Sequence, residues 1–265
     1  MGEVVLVTGA SAGIGLACAN RLHQGGWKVF GASRRGTSPG GWTPLVIDVD
    51  LDASVAAGFE QLLGADRHLD AVVACAGWGL AGAAELTPIE QAKEQMETNF
   101  WGAVRVVQHA LPVMRTQGHG RIILISSIGG IIGLPFQSFY SASKFAMEGY
   151  GEALAYEVVP FGIHVTLVEP GNVSTEFTGS RRMVQASSDE PYGAAAAKAV
   201  RTMSEDEVNG VAPDTVAVTV ERVLRARRPS RRVSSGRFDE RIGIAGKRLL
   251  PYRLFEKAAK GSLGV

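Results

Sequence analysis

Residues 3–15 read EVVLVTGASAGIG, an aliphatic run that passes directly into a turn with glycines at positions 9, 13 and 15. Beyond this turn Ile14, Ala17 and Leu22 recur on one stripe of a helix. A strand, a glycine turn and a helix in this order are typical of the first unit of a parallel sheet. Glycines there allow a pyrophosphate to approach the backbone at the helix N-terminus. The stretch therefore predicts both the start of the fold and a phosphate-binding turn.

The alternation of strand and helix continues along the chain. Short apolar runs predict buried strands at 3–8, 28–33, 45–49, 70–75, 121–127 and 163–169, and helical periodicity predicts helices near 13–25, 53–64, 88–117, 139–159 and 213–227. Parallel strands need crossover connections, so this order predicts a single doubly wound α/β domain of the Rossmann type over 1–265. Its parallel sheet should carry helices on both faces.

The composition is that of an ordinary globular protein. Of 265 residues, 46% are hydrophobic and 20% charged, with 27 Lys+Arg against 26 Asp+Glu, which excludes a disordered chain and a coiled coil. Two cysteines, Cys18 and Cys75, are too few for a disulfide framework or a four-cysteine zinc site, and the five histidines form no HExxH pair. We therefore expect no metal and a reducing compartment. No targeting segment is visible, so we expect a cytoplasmic protein.

The glycine turn has a second interpretation. Residues 9–13, GASAG, also match the G-x-S-x-G turn that carries the nucleophile of α/β-hydrolases. That fold usually places several strands before the nucleophile, with an acid and a histidine after it, whereas this turn follows the first strand and the histidines have no distinguishing context. A hydrolase is therefore disfavoured, and a tight turn without function is the other alternative.

A second group of residues points to acid–base chemistry. Tyr140 and Lys144 lie at i and i+4 of a predicted helix, so their side chains project from one face. A neighbouring ammonium favours the phenolate and lowers the tyrosine pKa from its usual value of about 10, which makes a general acid or base. Ser127, at the end of a predicted strand, can donate to a carbonyl oxygen. Taken alone, the Tyr140–Lys144 pair indicates a solvated helix face, and Ser127 alone indicates a turn. The prediction of acid–base chemistry therefore depends on the combination.

Together these motifs resemble the short-chain dehydrogenase/reductase family. The resemblance rests on the order and spacing of TGxxxGIG at 8–15, Asp48, Asn99, Ser127, YxxxK at 140–144 and Pro170-Gly171, and it extends to about residue 235. Residues 133–154, GLPFQSFYSASKFAMEGYGEAL, are most similar to the hydroxysteroid and retinol dehydrogenase branch. The resemblance implies hydride transfer between a nicotinamide cofactor and a carbonyl or alcohol carbon.

The resemblance also implies four catalytic residues. Tyr140 would be the proton donor or acceptor for the substrate oxygen, and Lys144 would bind the nicotinamide ribose and lower the pKa of Tyr140. Ser127, rather than its neighbour Ser126, would orient and polarise the carbonyl group. Asn99 would hold a water molecule that continues the proton relay beyond Lys144.

A cofactor site along the carboxyl edge of the sheet is implied as well. Its residues would be Gly9, Ser11, Ala12, Gly13, Ile14, Gly15, Arg34, Arg35, Asp48, Val49, Ala76, Gly77, Asn99, Tyr140, Lys144, Pro170, Gly171, Val173 and Thr175. Asp48 would contact the adenine, with a helix N-cap or a solvated charge as its alternatives, and Pro170, Gly171 and Thr175 would approach the nicotinamide. The family usually has Asn where this chain has Cys75, and the missing amide removes a turn-stabilising hydrogen bond. Cys75 itself is predicted to be a small buried apolar residue.

The end of the second strand predicts NADP(H) rather than NAD(H). An NAD site places a carboxylate there, where it accepts hydrogen bonds from the adenosine ribose. This chain has Arg34 and Arg35 after Ser33, and guanidinium groups suit a 2′-phosphate. We expect Arg34 to be the main phosphate ligand, with Arg35 and Ser11 assisting. The alternative is an ordinary pair of surface arginines.

The sequence therefore predicts an NADP(H)-dependent oxidoreductase. By resemblance its substrate is a bulky apolar carbonyl compound or secondary alcohol, steroid- or retinoid-like. The alternative is a nucleotide-binding regulator or scaffold without turnover. An irregular insertion at 176–212 is predicted to be a substrate lid, with a plain exposed loop as its alternative.

The C-terminal part is basic. Residues 221–260 hold 13 basic and 4 acidic side chains, and 236–265 form a basic extension in which Leu250, Leu254 and Phe255 have helical spacing. We favour a tail that packs its apolar stripe on the body of the protein or on another subunit. Contact with an anionic membrane is a second interpretation and an acidic carrier a third, while nucleic acid is not expected. Family resemblance implies a homodimer or homotetramer that pairs through the helices at 88–117 and 139–159.

Overall fold

A seven-stranded parallel sheet forms the centre of the computed structural model, which describes residues 2–184, 191–251 and 253–256. The strands are β1 (Val4–Thr8), β2 (Lys28–Ser33), β3 (Thr43–Val46), β4 (Ala71–Ala74), β5 (Leu80–Ala81), β6 (Gly120–Ile125), β7 (Ile163–Pro170), β8 (Arg182–Met183) and β9 (Arg232–Ser235). The sheet order is β3-β2-β1-β4-β6-β7-β9, and β5 pairs separately with β8. This order reverses direction at β1, as a doubly wound fold requires.

Helices connect the strands across both faces. They are α1 (Gly13–Gln24), α2 (Asp52–Ala65), α3 (Ile89–Met96), α4 (Gly102–Gln117), α5 (Ser138–Glu157), α6 (Phe177–Ser180), α7 (Gly193–Val208), α8 (Pro213–Arg225) and α9 (Phe238–Leu249). A π-helical turn, Glu97–Trp101, joins α3 to α4. The predicted fold class, a doubly wound parallel sheet with helices on both faces, is confirmed.

The core consists of two apolar clusters, one on each face of the sheet. Along β1, Val4 and Leu6 face the cluster that α2, α4 and α5 cover, whereas Val5 and Val7 face the cluster under α1 and α8. Successive side chains of a strand point to opposite faces, and both faces of this sheet are covered. This double burial explains why the strands appear in the sequence as continuous apolar runs rather than as alternating ones.

Of the predicted strands, the third differs most from the structure in its bounds, and three strands, β5, β8 and β9, were not predicted. The strand predicted at 45–49 begins and ends earlier, at Thr43–Val46, because a turn follows in which the Asp48 carboxylate accepts a hydrogen bond from the Asp50 amide at 3.1 Å. The edge strand β9 was not predicted. Its sequence, RVSS, contains one apolar residue, and it pairs only with β7 in the sheet, so the apolar pattern of a buried strand is missing.

The segments predicted as an irregular insertion and a basic extension contain helices. Residues 193–208 form α7, so the expectation of irregular structure is wrong there; the run GAAAAKAV is rich in alanine, the strongest helix former. Residues 185–190 of the insertion lie outside the described residues. In the extension, α9 packs on the body through Ile244, which is buried. Residues 257–265 lie outside the described part of the chain.

The topology gathers several loops at one edge. Since parallel strands share a direction, the turn after β1, the residues after β4 and β6, and the loop after β7 all leave the sheet at its carboxyl edge. Within the described ranges, none of the helices is both long and apolar enough to span a membrane.

Candidate active site

The glycine turn after β1 depends on the absence of side chains. Gly9 adopts a φ of +67°, and a Cβ built on it would lie 3.0 Å from the Ala76 backbone. A Cβ on Gly15 would lie 2.3 Å from the carbonyl oxygen of Gly9, closer than real contacts allow. The turn therefore brings the start of α1 against the end of β1 and leaves its backbone accessible.

The N-terminus of α1 is prepared for an anion. Its N-cap is Ala12, which has no side chain able to cap, and the first turn carries no acidic residue. The Gly13 amide instead donates to the Glu176 carboxylate at 3.2 Å, so this helix end already attracts a negative group. Thr175 lies beside it, with its Cβ 3.5 Å from where a Cβ of Gly13 would be. These residues fit the pyrophosphate of a dinucleotide.

Thr8 stabilises the turn that follows β4. Its hydroxyl accepts hydrogen bonds from the amides of Cys75 at 3.0 Å and Ala76 at 3.2 Å, so the segment from Cys75 to Gly77 is fixed from β1. Burial raises the pKa of the Cys75 thiol to about 12, which makes the thiol unreactive at neutral pH. Cys75 was predicted to be a small buried apolar residue; it packs against the apolar cluster on the α1 side of the sheet but is only partly buried.

Three of the predicted catalytic side chains meet at this edge. Ser127 follows β6, and its hydroxyl accepts from the Gly129 amide at 3.0 Å. Tyr140 and Lys144 lie in the first half of α5 and are only 8% and 6% exposed. A side-chain hydrogen bond joins Ser127 to Tyr140. The Lys144 ammonium donates to the Ile125 carbonyl at 2.8 Å.

Burial dominates the electrostatics of this group. It raises the pKa of Tyr140 to about 12, although the hydrogen bond with Ser127 acts in the opposite direction. Burial also lowers the pKa of Lys144 to about 8. The lowered Tyr140 pKa that the sequence predicts is therefore absent from this structure, because desolvation of the phenolate outweighs the hydrogen bond with Ser127 and the charge of Arg181. At pH 7 the Tyr140 hydroxyl is protonated and Lys144 is mostly an ammonium.

Asn99 lies within the π-helical turn and is fully buried. Its amide accepts from the Trp78 amide at 3.0 Å and donates to the Trp78 carbonyl at 3.0 Å and to the Ser143 hydroxyl at 3.2 Å. It thus ties the segment after β4 to α5, and it lies close to Gly77, whose Cβ would be 3.0 Å from the Asn99 oxygen. Such turns recur at functional sites. The sequence predicted an uninterrupted helix at 88–117, so the π-helical turn was missed.

The residues expected at the adenine end differ in burial: Arg34 and Arg35 are exposed, Asp48 is half-buried and Val49 is buried. Arg35 donates to the Ser11 hydroxyl at 2.8 Å, so the end of β2 reaches the glycine turn. Arg34 is exposed beside it. One oxygen of Asp48 accepts from the Asp50 amide in the turn that follows, but the N-cap of α2 is Leu51, so Asp48 does not cap that helix. Val49 is buried against α4.

The loop after β7 is held by residues that sequence reasoning missed. The Gly171 amide donates to the Ser235 carbonyl at 2.8 Å, and the Asn172 amide donates to the Glu240 carboxylate at 2.7 Å. Val173 bridges to Val211. These contacts aim Pro170 to Thr175 at the carboxyl edge. No local pattern could have revealed Glu240, because it lies 68 residues away from its partner.

A second missed group covers Tyr140. The Phe177 ring stands edge-on to the Tyr140 ring at 5.9 Å. Next to it Arg181, almost completely buried, pairs with Glu207 and donates to Ser204 at 3.3 Å, which joins the end of α6 to α7. The charge of Glu207 raises the pKa of Tyr140 and that of Arg181 lowers it. Among the described residues, no cluster of three or more His, Cys, Asp or Glu could hold a metal ion.

These features belong to an oxidoreductase built on a dinucleotide-binding fold, and comparison with known proteins identifies it. A family model described as short chain dehydrogenase matches residues 3–186. The chain therefore belongs to the short-chain dehydrogenase family, as the sequence motifs indicated.

Individual relatives agree with this assignment. The chain is 37% identical over 260 residues to 3-ketodihydrosphingosine reductase of Bacteroides thetaiotaomicron, covering 97% of both chains. It is 38% identical over 191 residues to human 17-beta-hydroxysteroid dehydrogenase type 1, covering 66% of this chain and 58% of that protein. The predicted proximity to the hydroxysteroid dehydrogenase branch is thus confirmed.

The fold is shared with solved structures. A short-chain dehydrogenase from Streptomyces avermitilis superposes with a TM-score of 0.84 at 30% identity, covering 98% of both chains. Solved structures of this fold at 22 to 24% identity include complexes with NAD and with NADP+. The fold therefore accommodates nicotinamide nucleotides of both kinds.

Burial of Lys144 should cost stability. Its folded pKa of about 8 lies below the unfolded value, so the cost is greatest below about pH 8 and disappears as the pH rises above 10.5. We expect Lys144→Met to raise the free energy of unfolding by on the order of 1–3 kcal/mol at pH 7, with a gain that shrinks towards pH 10.5. Urea titrations between pH 7 and 10.5 measure the free energy of unfolding, and Lys93→Met, at an exposed lysine, is the control. A gain independent of pH would contradict the explanation.

Proposed function

We propose that this protein is an NADP(H)-dependent oxidoreductase that transfers hydride between nicotinamide and the carbon of a carbonyl group or secondary alcohol. The observation that carries the proposal is the joint burial of Ser127, Tyr140 and Lys144 at the edge where the glycine turn lies. In reduction the cofactor is NADPH and the substrate is a ketone or aldehyde.

The roles of the side chains follow from their contacts. Tyr140, protonated at neutral pH, gives its proton to the substrate oxygen, and its hydrogen bond with Ser127 holds the hydroxyl in place. Ser127 donates to the same oxygen as negative charge develops on it. Lys144, held by the Ile125 carbonyl, stabilises the phenolate left on Tyr140. The nicotinamide nucleotide, when bound, supplies or accepts the hydride.

A nucleotide-binding regulator without turnover is the alternative function. A binding protein needs the glycine turn but has no use for a buried tyrosine that shares a hydrogen bond with a serine and lies one helical turn from a buried lysine. Keeping Lys144 buried costs stability, as its lowered pKa indicates. This cost supports the enzyme.

The substrate is a bulky, mostly apolar compound, and 176–212 is its lid. Phe177 at the start of α6 packs on Tyr140, and the Arg181–Glu207 pair ties the end of α6 to α7, so α6 lies over the reacting group. The similarity to proteins named for a ketodihydrosphingosine and a hydroxysteroid supports a large substrate. A panel of ketones that differ in size and polarity tests the substrate class.

The protein is a cytoplasmic homodimer or homotetramer that pairs through α4 and α5. Three aromatic side chains at these helices, Trp101, Phe145 and Tyr156, are 42–60% exposed, which suits a subunit interface. The basic α9 belongs to the domain rather than to a membrane, since Glu240 and Ile244 anchor it. We expect dimers or tetramers in sedimentation at micromolar concentration, and a monomer would contradict the assembly.

Loss of the Tyr140 hydroxyl should abolish most of the activity. We expect Tyr140→Phe to lower kcat for NADPH-dependent ketone reduction by about 10²–10⁴-fold while nucleotide binding persists, because only the proton donor is removed. Exposed Tyr156→Phe is the matched control. Equal rates for Tyr140→Phe and the unmodified protein would refute the mechanism, and binding without turnover in both would favour the regulator.

Cofactor preference should depend on the two arginines after β2. We expect Arg34→Ala with Arg35→Ala to raise the KM for NADPH roughly ten- to a hundred-fold and to leave that for NADH nearly unchanged, since only NADPH carries the 2′-phosphate. The exposed pair Arg227 and Arg228, before β9, is the control. An unmodified enzyme that prefers NADH, or a double variant that keeps its NADPH preference, would overturn the assignment.

A further inference from the structure

A buried acidic cluster lies one helical turn beyond Lys144. Glu148 follows it on α5 and is 6% exposed, and Glu169 near the end of β7 is 2% exposed. Arg232 of β9 lies between them, with its Nε 2.9 Å from Glu148 and 3.8 Å from Glu169. Its Nη2 is 2.6 Å from Glu152, half-exposed at the rim. The cluster uses none of the residues assigned to catalysis.

Arg232 holds the carboxylates of this cluster together. Three carboxylates share the Arg232 guanidinium, and the Ser234 hydroxyl donates to Glu169 at 2.7 Å. Among the described residues, the Oε1 atom of Glu148 is buried with no hydrogen-bond partner. A buried carboxylate oxygen without a partner is costly, so a purely structural ion pair would not be expected to keep it.

Glu148 is also the carboxylate that acts on Lys144, which lies four positions before it along α5. The groups that act on the ammonium are Glu148 from α5, Cys75 from the end of β4 and the Ile125 carbonyl from β6, and Tyr140 lies one helical turn before Lys144 on α5. Tyr140 and Cys75 are neutral at pH 7, since burial raises the pKa of each to about 12. Burial lowers the pKa of Lys144, whereas Cys75 and then Glu148 raise it, and of these two Glu148 is the carboxylate.

We propose that Glu148 is a positioning residue that keeps Lys144 in its ammonium form, and that Arg232 limits how much of the Glu148 charge acts on it. Without Glu148, a lysine buried this deeply would lose its proton at lower pH and could no longer stabilise the Tyr140 phenolate. The inference rests on the proposed function for its consequence in catalysis, whereas the protonation of Lys144 can be measured directly.

The test follows the titration of Lys144 itself. Lysine labelled with ¹³C at Cε is incorporated into the full chain, Lys144→Met assigns the signal, and the midpoint is read by NMR from pH 6 to 11. Glu148→Gln should lower the midpoint by roughly 0.5–1 pH unit, because a nearby negative charge is removed. Arg232→Gln should raise it, because the opposing charge is removed.

Two variants serve as controls. Glu152→Gln removes a carboxylate bound to the same arginine but half-exposed and a turn farther from Lys144, so the midpoint should barely move. Glu148→Asp keeps the negative charge, so the Lys144 midpoint should stay near that of the unmodified protein. If Arg232→Gln fails to fold, Arg232→Lys, which keeps the charge, should leave the midpoint near that of the unmodified protein.

Kinetics provide the second measurement. In ketone reduction the alkaline limb of kcat/KM should move to lower pH in Glu148→Gln by the same amount as the NMR midpoint, with little change at pH 6.5. An unchanged Lys144 midpoint in Glu148→Gln, or shifts of the same sign in Glu148→Gln and Arg232→Gln, would overturn the inference. A shifted midpoint in a protein without reductase activity would instead refute the proposed function alone.

Discussion

The close approach of Gly15 to the Gly9 carbonyl is the constraint on which the rest of the site depends. Because no Cβ fits there, α1 starts directly against the end of β1, and its uncapped amides face the carboxyl edge of the sheet. The same turn brings Gly9 against Ala76, and Thr8 holds the following backbone by two hydrogen bonds. One packing requirement thus positions both the anion site and the segment that reaches Asn99.

Sequence reasoning succeeded where the structure is local or strongly periodic. The strand, turn and helix at 3–25 and the pair Tyr140 and Lys144 follow from patterns within a few residues. Sequence reasoning failed where contacts between residues far apart in the chain determine the local conformation. The strand β9 is polar and owes its conformation to β7, and Glu240 acts on a loop far away in the chain. The π-helical turn holding Asn99 inserts a residue into an otherwise ordinary helical pattern.

The site illustrates how one physical effect can act on two groups in opposite directions. Burial favours the neutral form of every ionisable side chain, so it raises the pKa of Tyr140 and lowers that of Lys144. The sequence suggested only the attraction between ammonium and phenolate, because spacing along a helix contains no information about depth. Phe177 and the ion pair Arg181–Glu207 cover Tyr140, and only the three-dimensional structure reveals this burial.

The contact between Glu176 and the Gly13 amide gives the turn a built-in competitor. An anion that binds the Gly13 amide must displace the Glu176 carboxylate, so the free energy of that lost contact reduces its free energy of binding. The displaced Glu176 immediately precedes α6, whose first residue packs on Tyr140. Occupation of the phosphate position and the placement of the residues above the reacting tyrosine are therefore thermodynamically linked, and by reciprocity whatever stabilises one arrangement of α6 changes the affinity for the nucleotide.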